Sequence, residues 1–193
     1  KPRGVEDLGE NDNPQWAFSP LNNFYYMNEP FHPQFDTQDY HEEPARATGN
    51  DCFTAQPSKN DWYETIKLNY GVFYQGGGEQ QFDPIPSTWY KMLHILLFWS
   101  SKGVDGFRCD MAEMVPQAFW SWVIPQVKEQ YPNMLFIAEV YNPNLYRNYL
   151  SAGFDYLYDK VGMYDYLRGV TSKNWAVEGI TLQWQAVDDI RDH

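Results

Sequence analysis

The chain has no run of about 20 apolar residues, and this absence excludes a transmembrane helix within the segment. Only two cysteines are present, Cys52 and Cys109, which are too few for the disulfide framework of a small secreted domain. Positive charge is also scarce: 14 Lys and Arg residues stand against 26 Asp and Glu residues, giving a net charge of −12. That balance argues against nucleic acid or an anionic membrane surface as a partner, because both attract Lys and Arg.

Aromatic residues, by contrast, are abundant and make up 18% of the 193 residues. Aromatic side chains can fill a core, or they can present flat surfaces on which sugar rings stack. The sequence leaves open which of these roles each aromatic residue has. An acidic chain that is rich in aromatic residues is compatible with a neutral carbohydrate as its partner.

Two charged residues, Arg108 and Asp110, follow the short segment Gly103–Phe107, which predicts a buried strand. Alternate side chains of a strand point to the same side, so these two are expected to project together. A carboxylate beside a fixed guanidinium stays ionised at neutral pH, and an ionised, oriented carboxylate can act as a nucleophile. The alternative is a structural ion pair at the end of a strand, which is a common feature of proteins.

A second apolar segment, residues 134–141, contains a single carboxylate, that of Glu139. A predicted helix at about residues 116–131 separates it from Asp110, and Pro125 is expected to kink or break that helix. The order strand, helix, strand predicts two neighbouring parallel strands. Asp110 and Glu139 would then face each other at one edge of the sheet, as the nucleophile and proton donor of a retaining glycosidase do.

The segments GFRCDMA (Gly106–Ala112), FIAEV (Phe136–Val140) and IKLN (Ile66–Asn69) together resemble motifs of the α-amylase family, glycoside hydrolase family 13. The sequence GFRCDMA at Gly106–Ala112 is similar to the strand-four motif of that family. The sequence FIAEV at Phe136–Val140 is similar to its strand-five motif, and IKLN at Ile66–Asn69 resembles a short motif near the end of its inserted domain. The three segments occur in the order that the family has.

The resemblance implies a role for each charged residue of these segments. Asp110 is expected to be the catalytic nucleophile, Glu139 the general acid/base, and Arg108 the residue that orients the nucleophile. Candidate sugar contacts are Tyr141, Asn142 and Asn69.

The chain departs from the family pattern at several positions. Glu113 and Met114 stand where many α-amylases carry a Lys-His pair that contacts sugar. The family's third catalytic Asp, in an Asn-His-Asp motif, and its strand-three motif are both absent, and none of the four histidines lies in such a context. We expect that the chain begins just after the strand-three motif, stops just before the strand-seven motif and is inactive as an isolated fragment.

The predicted fold class is α/β: part of a (β/α)8 TIM barrel with a loop-rich inserted domain. Residues 1–75, irregular and rich in Asn, Pro and Asp over most of their length, are predicted to form that inserted domain between barrel strand three and helix three. Residues 76–193 are predicted to form the central portion of the catalytic barrel, with strands four to six and their helices.

Five closely spaced residues near the start of the chain carry side-chain oxygen atoms: Asp7, Glu10, Asn11, Asp12 and Asn13. Calcium takes ligands of this kind, and the resemblance implies that many relatives hold calcium where the inserted domain meets the barrel. The spacing matches no known calcium loop, so a solvated turn is the alternative. No cofactor is therefore predicted with certainty, Ca²⁺ stays open, and no metal-ligating residue is assigned.

The predicted function is retaining hydrolysis of α-1,4-glucosidic bonds in starch-type glucans or maltooligosaccharides through a covalent glycosyl-enzyme. The expected partner is an α-glucan, with no nucleic acid and no membrane span in this segment. Two alternatives stay open. One is a transglycosidase or sucrose-acting member of the same family, and the other is a non-catalytic, amylase-like binding subunit. The compartment is not determined, and a secreted or periplasmic location is favoured only slightly over the cytoplasm.

Overall fold

The computed structural model describes residues 6–36 and 39–190, which fall into two compact units, Lys1–Ile95 and Leu96–His193. Residues 1–5 and 191–193, which begin and end the two predicted domains, lie outside the described residues. The boundary between these units falls inside helix α1 (Ser87–Ser100). The assignment of an inserted domain followed by a barrel portion stays a prediction.

The first unit is built mainly from loops. Its two short strands, β1 (Val72–Phe73) and β2 (Glu79–Gln80), form an antiparallel pair. Two isolated bridges add to this pair and join Phe24 to Leu68 and Tyr26 to Arg46. Tyr25 is fully buried within the aromatic core of the unit, and its hydroxyl donates to Val72 O at 2.7 Å.

Buried polar side chains fix these loops where a backbone ladder does not. The fully buried amide of Asn23 donates to Ser87 Oγ at 2.8 Å and to Thr88 Oγ1 at 3.0 Å. Its Oδ1 accepts from the Gly9 N–H at 2.8 Å and from Lys91 Nζ at 2.8 Å. Every polar atom of this side chain is thus paired, which removes the cost of burying an amide.

The second unit contains a parallel sheet with the strand order β3 (Gly106–Cys109), β4 (Leu135–Ala138) and β5 (Tyr156–Leu157). Helix α2 (Gln117–Gln130) connects β3 to β4, and helix α3 (Tyr146–Ser151) connects β4 to β5. The predicted alternation of strand and helix is therefore present. A π-helix (Lys160–Tyr164), the α-helices α4 (Asp165–Lys173) and α5 (Gly179–Gln185), and a 3-10 turn (Asp188–Ile190) follow β5.

Helix α2 continues through Pro125 to Gln130, so Pro125 does not break it, and the kink that was the other predicted outcome stays a prediction. A proline inside a helix costs about 3 kcal/mol. Five apolar side chains of α2 are buried and offset that cost, since each contributes about 1.5–3 kcal/mol. They are Phe119, Trp120, Val123, Ile124 and Val127. Pro125 itself is exposed.

No helix among residues 6–36 and 39–190 combines the length and the apolarity needed to cross a bilayer.

Candidate active site

Two carboxylates lie side by side at the C-terminal edge of the parallel sheet. The register of β3 and β4 pairs Cys109 with Ala138, so Asp110 and Glu139 are the next residues on each strand. Backbone hydrogen bonds continue the alignment. The Glu139 N–H donates to Cys109 O at 3.0 Å, and the Ala112 N–H donates to Glu139 O at 3.0 Å. The structure thus brings Asp110 and Glu139 together, as the sequence pattern predicts.

Gly106 allows these two strands to approach closely. A Cβ atom at this position would lie 2.7 Å from the carbonyl oxygen of Leu135, the residue with which Gly106 is paired. That separation is well inside van der Waals contact, so any side chain would push the strands apart. Gly106 therefore sets the spacing of the strands that carry Asp110 and Glu139.

The guanidinium of Arg108 joins the two carboxylates. Its Nη1 forms an ion pair with Asp110, and its Nη2 lies 2.7 Å from Glu139 Oε1. The side chain of Asp110 is 71% exposed, whereas that of Glu139 is only 15% exposed. The hydrogen bond to Asp110 raises the pKa of Arg108, so the guanidinium stays charged. Strand alternation predicts the pair with Asp110, but the contact with Glu139 is visible only in the structure.

Two further donors converge on the Glu139 carboxylate. The Met111 N–H donates to Oε2 at 3.0 Å, and the Tyr141 hydroxyl donates to Oε1 at 3.2 Å. Met111 has a φ of +45°, a conformation that is uncommon for a residue other than glycine and that concentrates at functional sites. The negative charge of Glu139 raises the pKa of Tyr141, so the phenol stays protonated and able to donate.

A cavity of about 330 Å³ opens beside Arg108 and Glu139. Its other walls come from Tyr158, Asp159, Lys160 and Tyr164, which follow strand β5. The guanidinium carbon of Arg108 lies 5.8 Å from the centre of the Tyr158 ring, within the range of a cation–π contact. Aromatic rings beside charged groups suit a ligand that has both apolar faces and hydroxyl groups.

Sequence reasoning did not assign the residues after β5 to the site. Their position after β5 was the available signal. They follow β5 as Asp110 and Glu139 follow β3 and β4, and the carboxyl ends of parallel strands lie at the same edge of a sheet. Asp159 has a structural role, because its carboxylate accepts the N–H groups of Gly162 and Met163, each at 3.0 Å.

The two predicted sugar contacts after β4 differ in their surroundings. Tyr141 is half-buried and donates to Glu139, so it belongs to the same cluster of side chains. Asn142 is exposed; its N–H donates to Glu113 Oε2 at 3.1 Å, and its side chain accepts the Asn144 N–H at 3.1 Å. Glu113 therefore anchors the backbone that carries both residues.

Asn69, the third predicted sugar contact, lies in the first unit and is fully buried. Its Nδ2 donates to Ser19 O at 2.7 Å, and its Oδ1 accepts the Gly71 N–H at 2.8 Å. The amide thus holds two loops of that unit together. A contact between Asn69 and a ligand stays a prediction.

The oxygen-rich segment at residues 7–13 does not have the geometry of a calcium site. The carboxylate of Asp12 accepts the Asn23 N–H at 2.7 Å, the Phe24 N–H at 3.1 Å and the Tyr26 hydroxyl at 3.0 Å. Hydrogen-bond donors, rather than other oxygen ligands, therefore surround this carboxylate. Among residues 6–36 and 39–190, no group of three or more His, Cys, Asp or Glu side chains could hold a metal ion. The residues present do not fit the calcium that the sequence left open.

A positive charge from the protein itself lies near this segment. Lys91 Nζ donates to Asp7 O at 2.7 Å and to Asn23 Oδ1 at 2.8 Å. The ammonium group therefore connects two loops of the first unit to helix α1, on which Lys91 lies.

Comparison with known proteins finds relatives of this chain in sequence and in structure. Over 136 residues, 66% of the chain, it is 31% identical to an alpha-1,4-glucan:maltose-1-phosphate maltosyltransferase from Cereibacter sphaeroides. A solved cyclic alpha-maltosyl-(1→6)-maltose hydrolase from Arthrobacter globiformis is 17% identical, covers 75% of the chain with 27% of its own and gives a TM-score of 0.53. An alpha-amylase from Lactobacillus plantarum is 26% identical, covers 66% of the chain with 30% of its own and gives a TM-score of 0.48. No protein-family model matches the chain.

The chain spans about a fifth of the length of the curated relatives that it matches, 21% and 19% for two maltosyltransferases of Cereibacter sphaeroides. The predicted fold class is confirmed: the chain is α/β and forms part of a (β/α)8 barrel.

Proposed function

Because the chain is a relative of the α-amylase family, as its motifs predict, we propose that Asp110 and Glu139 catalyse retaining glycosyl transfer from an α-1,4-linked glucan. One observation carries the proposal: a single guanidinium, that of Arg108, contacts both carboxylates at the ends of adjacent parallel strands. A retaining mechanism needs its two carboxylates only about 5–5.5 Å apart. The shared guanidinium holds both carboxylates at the same edge of the sheet.

Asp110 is the proposed nucleophile. Its exposed carboxylate attacks the anomeric carbon while the bond from that carbon to the glycosidic oxygen breaks, and a covalent glycosyl-enzyme forms. Arg108 orients the carboxylate through the ion pair at Nη1. Attack thus begins from a fixed geometry, which lowers the entropic cost of the step.

Glu139 is the proposed general acid/base. In the first step the carboxylic acid form of Glu139 gives its proton to the leaving glycosidic oxygen. In the second step an acceptor hydroxyl attacks the anomeric carbon, the bond from that carbon to Asp110 breaks, and the Glu139 carboxylate takes the proton of the hydroxyl. The Met111 N–H and the Tyr141 hydroxyl hold the carboxyl group in place throughout. Tyr141 and Asn142 are the proposed sugar contacts at this edge of the sheet.

The acceptor in the second step distinguishes two candidate functions. The names of the curated relatives favour a sugar hydroxyl, because they describe transfer of maltosyl groups between maltose-1-phosphate and an α-1,4-glucan. We therefore place transglycosylation first. Hydrolysis, with water as the acceptor, is the second candidate and is the function that the motifs alone predict.

The test uses the complete natural polypeptide that carries this sequence. It is incubated with maltoheptaose, with and without maltose-1-phosphate, while proton NMR follows the anomeric signals and a separate assay follows phosphate. We expect products with α-anomeric configuration. Longer oligosaccharides would support transfer, and phosphate released with them would identify maltose-1-phosphate as the donor, with phosphate as its leaving group. Shorter reducing sugars alone would support hydrolysis.

Glu139→Gln is expected to lower turnover by several orders of magnitude, roughly 10³-fold or more, because the amide cannot transfer a proton. Glu129→Gln, at an exposed position of helix α2, is the matched control and should retain parental activity. Initial β-anomers, or near-parental activity of Glu139→Gln, would contradict the mechanism. A lack of product from both donors would favour the non-catalytic alternative.

A further inference from the structure

The first unit contains a pocket that the proposed mechanism does not use. This aromatic pocket has a volume of about 530 Å³, which lies in the range of small-molecule sites. It is defined here by six of its lining residues: Phe31, Phe35, Tyr40, Glu42, Arg46 and Tyr63. All six belong to the first unit, and none lines the cavity beside Arg108 and Glu139.

Two tyrosine rings of the aromatic pocket face outward. Tyr40 is 54% exposed and Tyr63 is 44% exposed, although each packs against a phenylalanine that is half-buried. The Tyr63 and Phe35 ring centres are 4.5 Å apart, and those of Tyr40 and Phe31 are 5.6 Å apart in an edge-to-face arrangement. The phenylalanine rings therefore hold the two tyrosine rings in place, and the exposed tyrosine rings can stack on a ligand.

A charged pair provides hydrogen-bonding groups in the same pocket. Glu42 accepts the Arg46 backbone N–H at 2.8 Å, the Arg46 Nε at 3.2 Å and the Arg46 Nη2 at 3.2 Å. The Tyr40 hydroxyl also donates to Glu42. Burial disfavours ionisation of Glu42, but these donors outweigh burial and lower its pKa. The pocket thus holds a fixed carboxylate and guanidinium, both mostly covered, at 12% and 26% side-chain exposure.

The remaining charges indicate a neutral ligand. Lys59, Glu64 and Asp36 also line the pocket, so three carboxylates stand against two cations. Lys59 and Glu64 form no salt bridge with any residue that the structure describes. An excess of negative charge disfavours phosphorylated or otherwise anionic ligands, while paired carboxylate and guanidinium groups can bind hydroxyl groups.

We propose that the aromatic pocket is a second carbohydrate site, which binds a neutral segment of an α-glucan chain through ring stacking on Tyr63 and Tyr40. Hydroxyl groups of the sugar are bound by Glu42 and Arg46. The choice of an α-glucan as ligand rests on the proposed function, whereas the choice of a neutral, hydroxyl-rich ring rests on the pocket alone.

The test measures binding without turnover. Maltoheptaose is titrated into the complete natural polypeptide carrying Glu139→Gln, and calorimetry gives the stoichiometry and affinity. We expect two sites per chain. Adding Tyr63→Ala should weaken one of them about five- to tenfold, which is the effect of removing one stacking ring. Tyr63→Phe should retain both sites because the ring is kept.

Trp16→Ala is the matched control, since Trp16 is an exposed aromatic residue of the same unit outside the pocket. Tyr40→Ala serves as a second variant if circular dichroism shows that Tyr63→Ala is misfolded. The proposal would be overturned if the folded tyrosine-to-alanine variants kept two unaltered sites. It would also be overturned if the polypeptide carrying Glu139→Gln alone had a single site. Binding of a maltose-1-phosphate probe in preference to maltoheptaose at the pocket would also overturn it.

Failure of the second site and failure of the proposed function give different results. A chain that binds maltoheptaose through Tyr63 and yet forms no product would refute catalysis and retain the second site. A chain that forms α-anomeric products but has one binding site would do the reverse.

Discussion

The two units of this chain are stabilised by different kinds of interaction. In the second unit, strand register aligns the backbone, and the residues that follow β3 and β4 meet because Cys109 is paired with Ala138. In the first unit, individual buried side chains such as Asn23 and Asn69 link loops that are far apart in sequence. A repeated backbone pattern can be read from sequence, whereas a single amide that joins distant loops cannot.

The largest expected effect concerns the guanidinium that joins the two carboxylates. Arg108→Lys keeps one positive charge but cannot contact Asp110 and Glu139 with two nitrogens at once. We expect kcat to fall about 10²–10³-fold, as happens when a donor at a reacting site is removed. Steady-state kinetics on maltoheptaose would measure it. Parental activity of Arg108→Lys would show that activity does not need one guanidinium in contact with both carboxylates, and that the strand register of the second unit is not what assembles the site.

The next effect concerns the buried amide of the first unit. Asn23→Ala leaves the Gly9 N–H and Lys91 Nζ without the acceptor that they share, and we expect a loss of about 2–4 kcal/mol in local stability. Hydrogen–deuterium exchange across residues 6–36 and 39–95 would measure the loss. Asn28→Ala, at an exposed position, should stay within about 0.5 kcal/mol of the parent. Equal exchange rates in Asn23→Ala and Asn28→Ala would show that the buried Asn23 amide does not stabilise this unit.

A smaller effect is expected where β3 and β4 approach each other. Gly106→Ala would place a methyl group 2.7 Å from Leu135 O, and we expect a cost of about 1–3 kcal/mol together with reduced activity. The thermal midpoint and kcat would be measured together. Gly78→Asn is the control, because Gly78 has open space around it and a φ of +84°, which Asn tolerates. Parental stability of Gly106→Ala would mean that register does not depend on the close approach.

The mildest test uses the two cysteines, one in each unit. Burial raises the pKa of Cys109 to about 12, so at pH 8 only about one molecule in 10⁴ has the reactive thiolate. Cys52 is only half-buried; burial also raises its pKa, but it should react first with iodoacetamide. Below pH 12, each increase of one pH unit should accelerate the alkylation of Cys109 about tenfold, because the thiolate fraction rises by that factor. Mass spectrometry of the labelled peptides would check this order, and earlier labelling of Cys109 would contradict its burial.

The sequence predicts much of the second unit because apolar runs and charged ends are local features. The segments ending at Asp110 and Glu139 are visible as runs of adjacent residues, and strand–helix alternation makes their strands neighbours. Alternation cannot show that Arg108 also reaches Glu139, since that contact crosses between strands. The residues around Lys160 were not assigned to the site because they follow β5 in the chain without matching a motif of the family.

The sequence predicts little of the first unit beyond its loop-rich character. The contact between Asn23 and Lys91 joins residues 68 positions apart, and neither belongs to a motif. The cluster at residues 7–13 shows why composition misleads in such loops. Its oxygen atoms suggest a metal, but those of Asp12 accept hydrogen bonds from Asn23, Phe24 and Tyr26.

The ammonium group of Lys91 has a consequence in terms of mass action. An ion taken from solution stabilises a fold only in proportion to its free concentration, and dilution or a chelator removes it. The cation that joins Asp7 to Asn23 is attached to helix α1 by its own side chain, so its local concentration is constant. Neither dilution nor a chelator can therefore remove the positive charge that joins these two loops.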